Sequence, residues 1–186
     1  MKTAWIFDFD GVLVNTMEGH FACYSRALAE AGIPIDRDRF FAQAGMTGRE
    51  QIAYFARAAG KSADADAIYR RKKEIFEERR PPATAIQSMV DLYRTLQASG
   101  APVAIATGSS RSSVEPVIQA HGFAPDALAV AEDVMRGKPH PDLFLLAARR
   151  LGVRPEDCIV VEDSEAGIEA ARAAGMRALR FFDTTR

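Results

Sequence analysis

A chain of 186 residues with 24 basic against 25 acidic side chains and 48% hydrophobic content can bury one substantial core plus a smaller appendage. A formal net charge of −1 gives nucleic acid and anionic membrane no electrostatic reason to bind. No apolar run approaches the roughly 20 residues a bilayer requires, and Asp8 and Asp10 follow the N-terminal apolar stretch too soon for a signal peptide. Cys23 and Cys158 stand far apart without metal-ligand spacing, which predicts two buried reduced thiols in a soluble, cytoplasmic protein.

Residues 4–9 form a short apolar run, and 102–107 and 158–162 repeat the pattern. Such runs predict strands buried on both faces, as in a parallel sheet, with 127–130 and 178–182 as weaker candidates. Residues 16–82 break the rhythm and carry helical periods only. Phe21, Tyr24, Ala27, Leu28 and Ala31 share one face; Ile52, Phe55, Ala56 and Ala59 share another; Ile68, Ile75 and Phe76 share a third. That block predicts an inserted all-helical domain, closed by Pro81-Pro82, where proline halts a helix. Within it, Arg70-Arg71-Lys72-Lys73 followed by Glu74, Glu77 and Glu78 predicts a solvated face laced with i,i+4 pairs.

After the insertion, Ile86, Met89, Val90, Tyr93 and Leu96 predict a helix ended by Gly100. Val114, Val117, Ile118 and His121 predict a second before Gly122, with Ser112 and Glu115 as its capping box. Phe144, Ala147, Ala148 and Leu151 predict a third between Pro141 and Gly152. Strands and helices therefore alternate over 1–15 and 83–186, which predicts an α/β core with a doubly wound parallel sheet.

Four polar clusters sit just past predicted strand ends, where such sheets place their ligands. Asp8-Phe9-Asp10-Gly11 puts two carboxylates on one side of the chain. An EF-hand loop opening at Asp8 would need glycine where Leu13 stands and glutamate where Gly19 stands. Thr107-Gly108-Ser109-Ser110 offers hydroxyl and backbone donors to an anion, as any capping turn also would. Lys138, between Gly137 and Pro139, is held on stiff extended chain. Glu162-Asp163 closes an apolar strand with two carboxylates that repel unless a cation lies nearby; Mg²⁺ prefers oxygen ligands, and Asp8 with Asp163 would provide a pair. Taken singly, each cluster also has an ordinary reading as a turn, cap or surface group.

In this order and spacing the four clusters resemble the motifs of the haloacid dehalogenase superfamily over nearly the whole chain, and the helical insertion looks like that family's first class of cap. Sugar-phosphate phosphatases and β-phosphoglucomutases are the nearest likeness. The resemblance implies a Mg²⁺-dependent hydrolase of a small phosphorylated metabolite, with Asp8 as nucleophile and Asp10 as acid and base. Thr107, Gly108 and Lys138 would bind phosphate. Asp8, the Asp10 main-chain carbonyl and Asp163 would hold the metal, and Glu162 would join them directly or through water.

Asp10 argues against dehalogenation, because a halide needs no acid and the dehalogenase branch lacks this residue. A mutase and a catalytically silent binding protein remain as alternatives. In the cap, His20 aligns with a histidine of the mutases and related phosphatases, and Arg49 resembles a cap-loop residue that contacts substrate. Departures from the family's pattern stand out in the cap and its hinge. Ala44 replaces a mutase lysine, the loop to Arg49 is one residue longer, and Gln87-Ser88 stands where relatives often carry Pro-Gly.

Overall fold

In the computed structural model, which describes residues 2–43, 46–79 and 81–182, the chain begins with β1 (Ala4–Phe7) and the two-residue β2 (Val14–Asn15). Four helices follow before the sheet resumes: α1 (Met17–Glu30), α2 (Arg37–Ala42), α3 (Gly48–Ala58) and α4 (Ala65–Arg79). The short β3 (Thr84–Ala85) then pairs antiparallel with β2, so the outgoing and returning connections of the insertion run side by side. The remaining chain alternates: α5 (Gln87–Ala98), β4 (Val103–Ala106), α6 (Arg111–His121), β5 (Ala127–Ala129), α7 (Asp142–Leu151), β6 (Cys158–Glu162), α8 (Glu165–Ala173) and β7 (Arg177–Arg180).

The five-stranded sheet has the order β5-β4-β1-β6-β7 and every pairing is parallel. Alternate residues of the same strands serve opposite faces. Ala4, Ile6, Ala104 and Ala106 pack on one side with Phe144, Ala147 and Ala170, where small side chains let α7 and α8 lie close. Phe7, Val103 and Ile105 pack on the other with Val90 and Tyr93 of α5 and Val114 and Ile118 of α6. Burying each large side chain contributes about 1.5–3 kcal/mol. The central strand β1 pairs with β4 on one side and β6 on the other, and the crevice beyond their C-terminal ends is the ligand position of a doubly wound sheet.

The insertion has its own apolar cluster, in which Tyr24, Leu28, Phe40, Ile52, Phe55 and Ile75 come from all four helices. Helix α2 was not expected: six residues are too few to display a period, and its stop-start is local, with the Asp36 side chain accepting from Arg39 N at 2.9 Å. Two further expectations need correction. Helix α6 begins at Arg111 behind Ser110, so Ser112 lies inside it, and Glu115 instead pairs with Arg111 at 3.0 Å. The basic run of α4 is not solvated throughout, for Lys72 is only 3% exposed. Both cysteines are free and buried, and no helix among the described residues is long and apolar enough to cross a membrane.

Candidate active site

Asp8 follows directly on β1, Thr107 on β4 and Asp163 on β6, and Glu162 is the last residue of β6. The ladder continues one step beyond β1, because Asp8 N donates to Val161 O at 2.9 Å, so the Asp8 backbone is as fixed as the strand itself. Gly11, with φ of +93°, turns the chain away and also makes room. A Cβ there would overlap the Asp163 carboxylate, so glycine lets that carboxylate approach the loop.

Lys138 is fully buried, with Nζ 2.8 Å from Asp8 Oδ1 and 2.5 Å from Glu162 Oε1, and its ammonium lies over the Phe144 ring at 5.0 Å. Burial alone would lower the lysine's pKa; the two carboxylates outweigh it and hold the ammonium above its ordinary range. The other Glu162 oxygen accepts from Ser164 N at 2.7 Å and Ser164 Oγ at 2.9 Å. Gly167 adjoins this carboxylate so closely that any Cβ would overlap it.

Asp8, Glu162 and Asp163 place carboxylate oxygens within 4.8 Å of one another. Within that trio Glu162 has both oxygens hydrogen-bonded, to Lys138 and to Ser164, and Asp8 shares Lys138 through its Oδ1. The Asp8 carboxyl is pushed well above its usual range, first by burial and then by Glu162, Asp163 and Asp10, with Lys138 opposing. A hard divalent cation fits this oxygen set and would relieve the crowding.

Asp10 gathers a different set of partners. Its Oδ1 accepts from Thr16 Oγ1, and its Oδ2 accepts from Ser109 Oγ at 2.6 Å and Thr107 Oγ1 at 3.2 Å. His20 Nε2 lies 3.4 Å from Oδ1. Burial would raise the Asp10 pKa, yet these donors, His20 foremost, hold it well below the usual carboxylate range. Behind His20, Lys72 Nζ approaches Nδ1 at 2.9 Å, and the Phe76 ring stacks on the imidazole at 4.9 Å between centroids. A lysine ammonium can only donate, so Nδ1 accepts and the imidazole proton is assigned to Nε2, directed at Asp10. Burial, then the neighbouring Lys72, lowers the His20 pKa in keeping with a neutral ring, and burial brings Lys72 down to about 8.

Asp8, Asp10, His20, Thr107 and Gly108 line one cavity of about 50 Å³ between the sheet edge and the helical insertion. Lys138, Glu162 and Asp163 adjoin it around Asp8. Arg49 is not brought there: it is exposed, pairs with Asp66, and lies 5.2 Å over the Tyr69 ring. The substitution at Ala44 lies outside the described residues.

Several contributors were missed, Ser109, Tyr69 and Lys72 among them. Ser109 belonged to a recognised cluster but had no assigned role. Tyr69 shares in the cavity wall, as does Lys72. The signal for Lys72 was its phase, because it stands four residues after Ile68 and three and four before Ile75 and Phe76, on their apolar stripe.

The model of the haloacid dehalogenase-like hydrolases matches residues 3–175. The fructose-1-phosphate phosphatase YqaB of Escherichia coli is 32% identical over 176 residues, covering 94% of this chain and 93% of the relative. The β-phosphoglucomutase of Bacillus subtilis is 32% identical over 184 residues, covering 95% and 81%. The crystal structure of a hydrolase from Pseudomonas syringae superposes with a TM-score of 0.89 at 26% identity, covering 99% of this chain and 88% of that one. A match of this extent, on a parallel sheet with a helical insertion after its first strand, makes the chain a member of the haloacid dehalogenase-like hydrolases, an enzyme close to the sugar phosphatases and β-phosphoglucomutases.

Proposed function

We propose that the protein is a Mg²⁺-dependent phosphatase of a small phosphorylated metabolite, a sugar phosphate, acting through an aspartyl-phosphate on Asp8. The observation that carries this reading is the fully buried Lys138 ammonium 2.8 Å from Asp8 Oδ1, beside a cavity whose other core residues include Thr107 and Gly108. A carboxylate nucleophile and a phosphate are both anions, and their encounter in a water-poor site needs a fixed positive charge. The related fructose-1-phosphate phosphatase supports the phosphosugar class. Two buried free thiols accord with a cytoplasmic enzyme.

In the first half-reaction an Asp8 oxygen forms a bond to phosphorus as the bond to the leaving oxygen breaks, and Asp10 gives that oxygen a proton. In the second, Asp10 takes a proton from water, the water oxygen bonds to phosphorus, and the acyl-phosphate bond breaks to restore Asp8. The donors around Asp10 favour its carboxylate, the form needed for the second half. Protonating the leaving group requires Asp10 to exchange some of those donors for a proton. Thr107 and the Gly108 backbone hold phosphoryl oxygens, and Lys138 stays charged throughout. Asp8, Asp163 and the Asp10 main-chain carbonyl would hold magnesium, which when bound neutralises charge on the phosphoryl group. Glu162 acts one step back, by holding Lys138.

Residues 1–15 and 83–186 serve as the catalytic core and 16–82 as the cap. The similar mutase raises a second reading, in which a sugar hydroxyl replaces water. Arg49 turned toward Asp66, and Ala44 in place of a cation, favour water. Phosphorus NMR decides between them. With β-glucose 1-phosphate, catalytic glucose 1,6-bisphosphate and Mg²⁺, inorganic phosphate should accumulate; glucose 6-phosphate forming faster than phosphate would overturn the phosphatase reading.

A further inference from the structure

We infer that the cap wall selects a phosphomonoester whose leaving group is uncharged and hydroxyl-bearing, and rejects one carrying a second phosphate, with Tyr24, Gln51 and Tyr69 as the specificity-determining residues. The inference rests on the phosphatase reading and adds to it the chemistry of the leaving group.

Gly48, the first residue of α3, is where this wall converges. A Cβ there would overlap both the Tyr69 ring and the Tyr24 hydroxyl, so glycine is what allows two phenols to meet beside the cavity. Both are buried. Gln51, one turn further along α3, is 5% exposed, and its amide nitrogen points to Phe40 O at 3.5 Å and Gln43 O at 3.4 Å. That orientation leaves the amide oxygen to face other partners. Phenols and an amide oxygen supply donors and acceptors that match hydroxyl groups, and the aromatic faces match the C–H surface of a sugar or polyol.

The wall is equally defined by its charges. Among the described lining residues Lys72 is the sole lysine or arginine, and it is committed elsewhere. Its Nζ is 2.9 Å from His20 Nδ1 and 4.9 Å from both the Tyr24 and Phe76 ring centroids, which fixes it behind the imidazole. Arg49 points outward to Asp66. Ala44 and Gly45 have no ionisable side chain wherever they lie. A phosphate dianion on the leaving group that came to rest on this wall would meet phenols, an amide and methionines without a counter-charge, an arrangement that disfavours binding.

The test uses binding, so that it does not depend on turnover. The full-length Asp8→Asn protein with Mg²⁺ is titrated calorimetrically with inorganic phosphate, fructose 1-phosphate and fructose 1,6-bisphosphate. Fructose 1-phosphate should bind at least about 100-fold more tightly than the bisphosphate, because a site that leaves a charge unpaired discriminates steeply. Gln51→Leu and Tyr69→Phe should lower the ratio of fructose 1-phosphate to inorganic phosphate affinity by about tenfold. Gln51→Lys should narrow the gap between bisphosphate and monophosphate. Equal or tighter binding of the bisphosphate by the Asp8→Asn protein, or affinity ratios unmoved by both removals, would overturn the inference and leave the core chemistry standing. Failure of inorganic phosphate and both sugars to bind would instead overturn the phosphatase reading, and the inference with it.

Discussion

The core wall of the cavity and its cap wall hold their polar groups in different ways. On the core wall Lys138 sits between Asp8 and Glu162, and Asp10 gathers Thr107 and Ser109 from the core with Thr16 at the head of the insertion. Those core groups ride on strand ends or the loops that leave them, where a rigid sheet sets the spacing. On the cap wall the titratable pair His20 and Lys72 is held between helices by aromatic rings, and the remaining polar groups are neutral. On the proposed function, one wall would meet a charged phosphoryl group and the other whatever is attached to it. Changes to the core should therefore alter turnover of every substrate, and changes to the cap should alter the choice among them.

The largest effect should come from Asp8→Asn. It removes the proposed nucleophile and keeps the side-chain shape, so kcat should fall by about 10⁴ or more with an unchanged circular dichroism spectrum. Turnover at the parent rate in a sequence-verified preparation would dissolve the distinction between the walls.

Lys72→Met sharpens the comparison, because it strikes the one cap pair that reaches Asp10. Without a donor at Nδ1, the His20 tautomer is no longer set, and kcat should fall about tenfold, less than the about 10²–10⁴ of a whole acid–base contribution because Asp10 itself is kept. Stability should move the other way. Lys72 titrates near 8 when folded, below the usual lysine value of 10.5, so the unfolded chain binds the extra proton and the parent gains stability as pH rises from 8 to 10.5. Lys72→Met should accordingly be more stable than the parent at pH 7, by about 3 kcal/mol at most, and the gap should close by pH 10.5. Urea titrations at pH 7 and 10 check the sign; a gap that widens with pH would show that the amine is not disfavoured by burial.

Gly137 tests the seam between the walls. It precedes Lys138, and a Cβ there would overlap the Thr47 methyl and come within 2.9 Å of Glu50 Oε2, at the capped start of α3. Gly137→Ala should hold the cap off the core and raise KM several-fold, while global stability changes by less than about 1 kcal/mol, since the clash is relieved by opening rather than unfolding. A KM equal to the parent's would mean that the two sides do not need to meet there. Arg49→Ala should do least. Its pairing with Asp66 is exposed, and such pairs contribute about 0–1 kcal/mol. The expected change in kcat/KM is below about twofold; a tenfold rise in KM would return Arg49 to the substrate site.

The alternation of apolar runs and helical periods was enough to foresee the sheet, and cluster order was enough to foresee which residues meet at its edge. Residues 158–162 match β6 to the residue, while 4–9 overshoots β1 by two, because Phe9 remains buried after the pairing has ended. Helix α2 left too short a trace to be read. Asp8, Asp10, Thr107, Lys138 and Asp163 were legible because four clusters, each ordinary by itself, follow strand ends in the order and spacing that the family resemblance rests on.

Arg49 and Lys72 were misplaced for the opposite reason. Both are cations on helices, and by composition alone each has an outward-facing reading. Lys72 is drawn inward by His20, 52 positions earlier, and by rings from α1 and its own helix; Arg49 is drawn outward by Asp66, 17 positions later. The sequence by itself determined the sheet, the order of the polar clusters at its edge and their acidic and basic chemistry, because strand pairing and turn chemistry act over a few residues and repeat along the chain. Which helix faces meet across the cavity, and so which cation is buried and which is not, was decided only by tertiary structure. A buried charge is stable only with partners, and here those partners come from distant segments.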